Sequence, residues 1–364
     1  MIAERKNFTL RRMPKFSWLL LSLFMVAGCC TYVPPRPAGP TAHYQIGEPV
    51  VLAGEQPSRL EFVPANLPLI QVRSTYLDHL PETVQYQEGR DFSIDRKSGT
   101  IQRTVQSRIP DYSTNILFGK TNFDHSQFPG HGNKPFFAYV DYAHKEKARW
   151  PAQPSQAKLL PETRKKLRAG GKLKIIAYGD SITAGGEATQ PGLIYWQRWA
   201  DALKQKYPHS EIGAVNGATG GDTTRNGLER LQAKVLDQQP DLVLVAFGMN
   251  DNNVPAFGVP LEEFKRNLGV IVDRIRAGTK AEVILVSAFP PNPNWRFGSR
   301  EMENYAVATG EVAREKQCAF ADTYHDWIVR AARKKPEDLL GNDINHPNDF
   351  GHWIYFQTLN RIGL

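Results

Sequence analysis

Cysteine is scarce in this sequence, with three residues among 364: Cys29, Cys30 and Cys318. The first two are neighbours near the N-terminus, and Cys318 lies far along the chain, just before Ala319 and Phe320. This usage argues against a fold held together by disulfide bonds. Cys318 is predicted to be a small buried side chain.

Apolar runs long enough to cross a membrane are also lacking near the N-terminus. The run Phe16–Val26 has 11 residues, whereas a transmembrane helix needs about 20, so a helical anchor is the weaker alternative. Basic residues precede the run, as in an export signal. Val26-Ala27-Gly28-Cys29 resembles the bacterial lipobox, which implies cleavage after residue 28 and lipidation of Cys29. We therefore expect a protein anchored by acyl chains in the bacterial cell envelope, facing the periplasm or the cell surface. The alternative is a plain secretory signal in which Cys29 is incidental.

A basic surface for nucleic acid is missing as well. The formal net charge is +8, but residues 1–28 contribute four of these charges, and no later stretch interleaves basic and aromatic residues. Nucleic-acid binding is therefore excluded. Three histidines, His125, His131 and His144, match no compact metal-ligand spacing, so neither a metal site nor another cofactor is predicted.

Two kinds of organisation follow this N-terminal signal. Residues 29–44 are rich in proline and predict an extended tether. From residue 45 to residue 144, short strand-like runs alternate with turn signals and no helical period appears, which predicts a small all-β domain, a sandwich. The strand-like runs are Pro49–Leu52, Leu69–Arg73, Thr100–Val105 and Phe136–Tyr142.

Aromatic residues are frequent in this β-rich part. Two interpretations are open: they form the core of the sandwich, which is the commoner role, or they form a carbohydrate-binding face. The residues concerned are Phe123, Phe128, Phe136, Phe137, Tyr139 and Tyr142.

The pattern changes after a linker over residues 145–171, which contains a short charged helix at 161–169. Residues 172–364 alternate strands with helices, which predicts an α/β fold: a parallel sheet between two helical layers, flavodoxin-like in arrangement. The predicted strands are Lys174–Tyr178, Glu211–Val215, Asp241–Phe247, Val283–Ala288 and Ala319–Ala321. The predicted helices lie near 193–206, 224–239, 261–277 and 301–316, with a closing helix at 349–362.

Polar residues follow the strands of this second part. The first strand leads into Gly179-Asp180-Ser181, the second into Asn216-Gly217-Ala218-Thr219-Gly220-Gly221-Asp222, and the third into Gly248-Met249-Asn250-Asp251. Near the C-terminus stands Asp343-Ile344-Asn345-His346. Ligand sites of open α/β sheets lie at the carboxyl ends of the strands, so these four segments are expected to converge.

These four blocks, in this order, resemble the SGNH hydrolases, also called GDSL esterases, over residues 172–364. The resemblance implies that Ser181 is the nucleophile, His346 the general base and Asp343 the acid that orients it. It also implies that the amides of Ser181 and Gly221 and the side chain of Asn250 form the oxyanion hole. Gly220 is the alternative to Gly221, and His352 is the rival of His346. The sequence contains no Gly-x-Ser-x-Gly, so the α/β-hydrolase elbow is not the match.

The implied reaction is hydrolysis of an ester through an acyl-enzyme, which requires no metal. The expected substrate is an acylated saccharide with O-acetyl as the favoured group, because an export signal and a β-rich domain accompany the hydrolase. The alternatives are a lipase, lysophospholipase or thioesterase acting on acyl lipids, and an inert surface protein that binds carbohydrate. Candidates for the substrate rim are Trp196, Phe257 and Trp295.

Overall fold

A computed structural model describes residues 43–65, 70–147 and 150–364. The predicted export signal, Cys29 and nearly all of the predicted tether lie outside these residues. Among the helices that are described, none combines the length and the apolar character needed to span a bilayer.

The N-terminal part consists of two antiparallel sheets. Its strands are β1 (His43–Val51), β2 (Ser58–Arg59), β3 (Ile70–Arg73), β4 (Gln85–Tyr86), β5 (Phe92–Asp95), β6 (Thr100–Arg103) and β7 (Phe137–His144). One sheet has the order β1-β7-β3-β4 and the other β2-β6-β5. Side chains from both sheets, among them Val50, Val72, Phe92, Ile101 and Val140, share one buried core. The predicted all-β fold of this part is confirmed.

Most of the aromatic residues of this part are buried. Phe123, Phe137, Tyr139 and Tyr142 are at most 5% exposed, whereas Phe128 and Phe136 are partly exposed. Packing is therefore the main role of these rings, because four of the six present almost no surface to a ligand.

The C-terminal part is a doubly wound α/β structure. Its elements are α1 (Pro161–Arg168), β8 (Lys172–Gly179), α2 (Ser181–Ala184), α3 (Tyr195–Lys206), β9 (Glu211–Asn216), α4 (Thr224–Lys234), β10 (Leu242–Ala246), α5 (Leu261–Gly278), β11 (Glu282–Val286), α6 (Met302–Glu315), β12 (Ala319–Ala321), α7 (Thr323–Arg330), α8 (Pro336–Leu339) and α9 (Asp349–Asn360). All five strands are parallel, in the order β12-β11-β10-β8-β9.

This strand order fixes where a ligand can bind. The chain leaves β8 towards β9 on one side and later returns to β10 on the other side of β8. The connections after β8 and β10 therefore diverge and leave a crevice at the carboxyl ends of the two strands. The predicted flavodoxin-like architecture is confirmed, and Ser181 and Asn250 follow the two strands that border the crevice.

The sequence explains these elements locally. All five residues of β10 are apolar and buried, as expected for a strand covered on both faces. Helix α5 buries Phe264, Leu268, Ile271 and Ile275, which recur every three or four residues and form one stripe. Cys318 is buried, as predicted, and it forms no disulfide bond with any residue that the structure describes.

Buried ion pairs join the N-terminal part to the C-terminal part. The Nζ of Lys334 lies 2.8 Å from Oε1 of Glu48, and Nη1 of Arg330 lies 2.8 Å from Oε1 of Glu61. The backbone N–H of Val51 in β1 also donates to the carboxylate of Asp338 in α8. The two parts are thus connected next to the segment that leads to His346.

Candidate active site

Ser181 stands at the carboxyl end of β8, on a turn that the preceding two residues enforce. Gly179 has no room for a side chain, since a Cβ there would lie 2.2 Å from the carbonyl oxygen of Ala246 in the neighbouring strand. Asp180 caps helix α2, accepting a hydrogen bond from the backbone N–H of Ile182 at 3.0 Å. Burial raises the pKa of Asp180 to about 7. The turn therefore places the Ser181 side chain above the edge of the sheet.

His346 is the partner of Ser181. Its Nε2 lies 2.8 Å from the Ser181 Oγ, although 165 residues separate the two in sequence. Burial lowers the pKa of His346 to about 4, which keeps the imidazole neutral at physiological pH. A neutral imidazole can accept the hydroxyl proton, as a general base must.

The segment that carries His346 is held by Asn342. The Oδ1 of Asn342 accepts hydrogen bonds from the backbone N–H groups of Ile344, Asn345 and His346, at 2.9 to 3.0 Å. The imidazole itself rests on Gly186, where a Cβ would lie 3.0 Å from the His346 Nδ1. Both contacts limit how far the ring can move from Ser181.

His352 occupies a different environment from His346. It is fully buried, and its Nε2 lies 3.1 Å from the carbonyl oxygen of Gly186. Its ring stacks on Tyr195, with 6.2 Å between the centroids. Of the two histidines considered from the sequence, the structure brings His346 to the serine.

The Asp343 carboxylate is buried and held by three neutral donors. Its Oδ2 accepts a hydrogen bond from the Tyr112 hydroxyl at 3.2 Å, and its Oδ1 accepts from the Nδ2 atoms of Asn133, at 3.1 Å, and Asn292, at 3.3 Å. Burial raises the pKa of Asp343 to about 7, and these donors act against that rise. Within the described part of the chain, no hydrogen bond or ion pair links Asp343 to His346. The orienting role of Asp343 stays a prediction.

The candidate oxyanion donors have N–H groups that are free to bind a ligand. The backbone N–H groups of Ser181, Gly220 and Gly221 make no hydrogen bond to another described residue. A Cβ on Gly220 would lie 3.9 Å from the Cβ of Ser181, whereas one on Gly221, where φ is +79°, would meet no atom within 4 Å. The side-chain amide of Asn250 donates to the carbonyl of Asp222 at 2.9 Å, which leaves its second N–H for a ligand. Both glycine amides stay candidates.

The three residues considered for the substrate rim differ in exposure. Trp196 and Trp295 are 6% and 5% exposed, and the Trp196 Nε1 donates to the carbonyl of Thr183. Phe257 is 63% exposed and packs edge-on against Phe297, with 5.6 Å between the centroids. Only Phe257 of the three presents a large apolar surface.

Phe257 belongs to an aromatic cluster that we define as Phe257, Phe297, Trp295 and His125. The Trp295 Nε1–H donates to the His125 Nδ1 at 3.0 Å, so Nε2 carries the proton in the neutral His125 ring. The Phe297 ring lies 5.8 Å from both Trp295 and His125. The N-terminal part therefore contributes one ring to a cluster formed mainly by the C-terminal part.

The aromatic cluster adjoins the connections that carry the site. The carbonyl of Phe297 accepts a hydrogen bond from the N–H of Val254, in the loop that follows Asn250. Trp295 also packs with Ile344, the residue after Asp343. The cluster is thus a neighbour of both the Asn250 loop and the Asp343–His346 segment.

Three residues at the site were missed by sequence reasoning: Tyr112, Asn133 and Asn292. Asn292 follows β11 at the same sheet edge as the other polar segments, so its position was a usable signal. Tyr112 and Asn133 come from the β-rich part and carry no local signal of a role in catalysis.

The geometry defines a class of protein. A serine hydroxyl hydrogen-bonded to a neutral imidazole, beside unoccupied amide donors, is the arrangement of a serine hydrolase that performs acyl transfer. Sequence comparison agrees with this class. Residues 177–354 match the GDSL-like lipase/acylhydrolase family, a range that includes Ser181, Asn250, Asp343 and His346.

Named relatives include three bacterial proteins. The arylesterase of Vibrio mimicus is 28% identical over 186 residues, which is 50% of this chain and 84% of the relative. The uncharacterized lipoprotein YqeF of Bacillus subtilis is 30% identical over 191 residues, 46% of this chain and 76% of the relative. The acetylxylan esterase of Geobacillus stearothermophilus is 25% identical over 213 residues, 54% of this chain and 97% of the relative.

The chain belongs to the GDSL-like lipase/acylhydrolase family, the SGNH hydrolases. It is a carboxylic ester hydrolase, and its substrate is an ester.

Proposed function

We propose that this protein is an exported, lipid-anchored esterase that removes O-acyl groups, with O-acetyl as the favoured group, from a carbohydrate. The observation that carries the catalytic part is the 2.8 Å contact between the Ser181 Oγ and the His346 Nε2. It supplies a nucleophile and a base at hydrogen-bonding distance, at the sheet edge where ligands of this fold bind.

The reaction proceeds in two steps. Ser181 attacks the ester carbonyl while His346 takes the hydroxyl proton and then passes it to the departing alcohol, which leaves an acyl-enzyme. Water, deprotonated by His346, then releases the acid and restores Ser181. The negative charge that develops on the carbonyl oxygen is stabilised by the Asn250 side chain and the backbone amides of Ser181 and Gly221. Asp343 stabilises the imidazolium formed in each step.

Two observations favour a carbohydrate as the alcohol. The chain aligns with 97% of an acetylxylan esterase, although at 25% identity. The aromatic cluster beside the site offers an exposed Phe257 ring, and the apolar face of a sugar ring can stack on such a surface. The neutral His125 adds an N–H that can donate to a sugar hydroxyl.

The proposed anchor is supported by the sequence of the signal and by a relative. Val26-Ala27-Gly28-Cys29 closes an apolar segment as a lipobox does, and one relative is named as a lipoprotein. Mass spectrometry of the mature N-terminus tests this part. Acyl chains on Cys29 are expected, and an unmodified N-terminus beyond Cys29 would contradict the anchor.

An ester panel tests the substrate. Acetylated xylo-oligosaccharides, p-nitrophenyl esters of increasing acyl length and lysophospholipids are compared by kcat/KM, with Ser181→Ala as the catalytic control. We expect the acetylated sugars to be preferred and Ser181→Ala to lose about 10⁴-fold or more in rate. Preference for long acyl chains would replace the carbohydrate proposal with an acyl-lipid hydrolase, and full activity of Ser181→Ala would refute the catalytic role.

The aromatic cluster is tested separately with Phe257→Ala. We expect KM for the acetylated oligosaccharide to rise about five- to tenfold, since one stacking contact is lost, with little change for p-nitrophenyl acetate. Val307→Ala, at a residue that is 49% exposed on α6, is the matched control for loss of exposed apolar surface. Equal effects of Phe257→Ala on both substrates would remove the cluster from sugar recognition.

A further inference from the structure

The N-terminal β-rich part reaches the catalytic segment through two side chains. Tyr112 and Asn133 precede Asp343 by 231 and 210 residues, and both donate hydrogen bonds to its carboxylate. Tyr112 is 5% exposed and Asn133 is fully buried, so both hydrogen bonds are shielded from solvent. The third donor, Asn292, belongs to the C-terminal part.

We infer that Tyr112 is a positioning residue for ester hydrolysis: it holds the Asp343 carboxylate ionised and fixed, so that the N-terminal part completes the active site. This inference rests on the proposed roles of Ser181, His346 and Asp343. A carboxylate buried without donors takes up a proton, and a neutral carboxyl group cannot stabilise the imidazolium.

The charges around Asp343 make these donors necessary. Burial raises the pKa of Asp343, and the carboxylate of Glu337, at the start of α8, raises it further. Burial raises the pKa of the Tyr112 hydroxyl, and the negative charges of Asp343, Glu337 and Asp338 raise it further. Tyr112 therefore stays protonated and serves as a donor at every pH at which an esterase is assayed.

Asn133 has a second, structural role that Tyr112 lacks. Its Nδ2 also donates to the carbonyls of Glu337 and Leu340, at 3.1 and 3.0 Å, and its backbone N–H donates to the carbonyl of Gly341. Replacing Asn133 would disturb the whole segment between α8 and His346. The Tyr112 hydroxyl donates a hydrogen bond to the Asp343 carboxylate. Tyr112→Phe removes this hydrogen bond and keeps the aromatic ring.

The test is the pH dependence of kcat for p-nitrophenyl acetate in Tyr112→Phe. Loss of one hydrogen bond to a charged group should raise the pKa of Asp343 by about one unit. The variant should then be about fivefold slower than the wild type at pH 7 and nearly equal to it at pH 9. KM should change little, because Tyr112 is 5% exposed and presents almost no surface to a substrate.

Two further variants show whether the effect arises from the contact between Tyr112 and Asp343. Tyr86→Phe makes the same chemical change in the core of the β-rich part, at a residue that does not act on the Asp343 carboxylate, and should leave the profile unchanged. In an Asp343→Asn background, Tyr112→Phe should have no further effect on the pH profile. A loss of kcat in Tyr112→Phe that is the same at every pH would overturn the inference, and so would a kcat equal to that of the wild type. Retention of activity by Ser181→Ala would refute the proposed catalytic mechanism instead.

Discussion

The buried ion pair that joins the two parts of the chain allows a quantitative test. Lys334, Glu48 and Asp338 have side chains that are at most 1% exposed, and the Lys334 Nζ lies 2.8 Å from Glu48 and 3.8 Å from Asp338. At an effective dielectric constant of 20, charges at these separations attract each other by about 6 and about 4 kcal/mol. Much of this attraction offsets the cost of removing three charges from water.

Replacing Lys334 with Met leaves two carboxylates buried without their cation. The free energy of unfolding at pH 8 should therefore fall by about 3–5 kcal/mol.

Urea unfolding followed by tryptophan fluorescence measures this difference, provided that the slope of the transition is unchanged. Lys265→Met is the matched control, because Lys265 pairs with Glu311 at the surface, and no measurable loss is expected. Adding Glu48→Gln to Lys334→Met should restore part of the stability. A loss for Lys334→Met that is as small as that of the control would refute the reasoning.

Three further predictions concern catalysis. Asn250→Ala should lower kcat for p-nitrophenyl acetate about 10²–10³-fold with little change in KM, and a loss below tenfold would remove Asn250 from the oxyanion hole. Gly186→Ala places a methyl group 3.0 Å from the His346 Nδ1 and should lower kcat. Gly192→Ala is the control, because its methyl group would meet no atom within 4 Å, and its kcat should be unchanged. Equal rates for the two variants would contradict the packing argument. In the wild type, kcat should fall below about pH 7 as Asp343 takes up a proton. Asp343→Asn should remove this pH dependence. A wild-type kcat that is constant from pH 8 to pH 5 would contradict the prediction.

The elements that were predicted well are those whose signals are local. A strand such as β10 is a continuous apolar run, and a helix such as α5 repeats its apolar residues every three or four positions. Strands β2 and β4 have two residues each, too short to show a period, and they exist because longer strands lie beside them. The formation of these two strands therefore depends on tertiary pairing.

The sequence by itself determined the α/β fold, the order of the four polar segments and the nature of their side chains, because turns, caps and apolar periods are set within a few residues. Tertiary structure decided which histidine meets Ser181. His346 and His352 are six residues apart, yet one lies against the hydroxyl and the other against a backbone carbonyl. It also brought Tyr112 to Asp343 across 231 residues. Such contacts depend on how two separate sheets pack, and no local pattern encodes that packing.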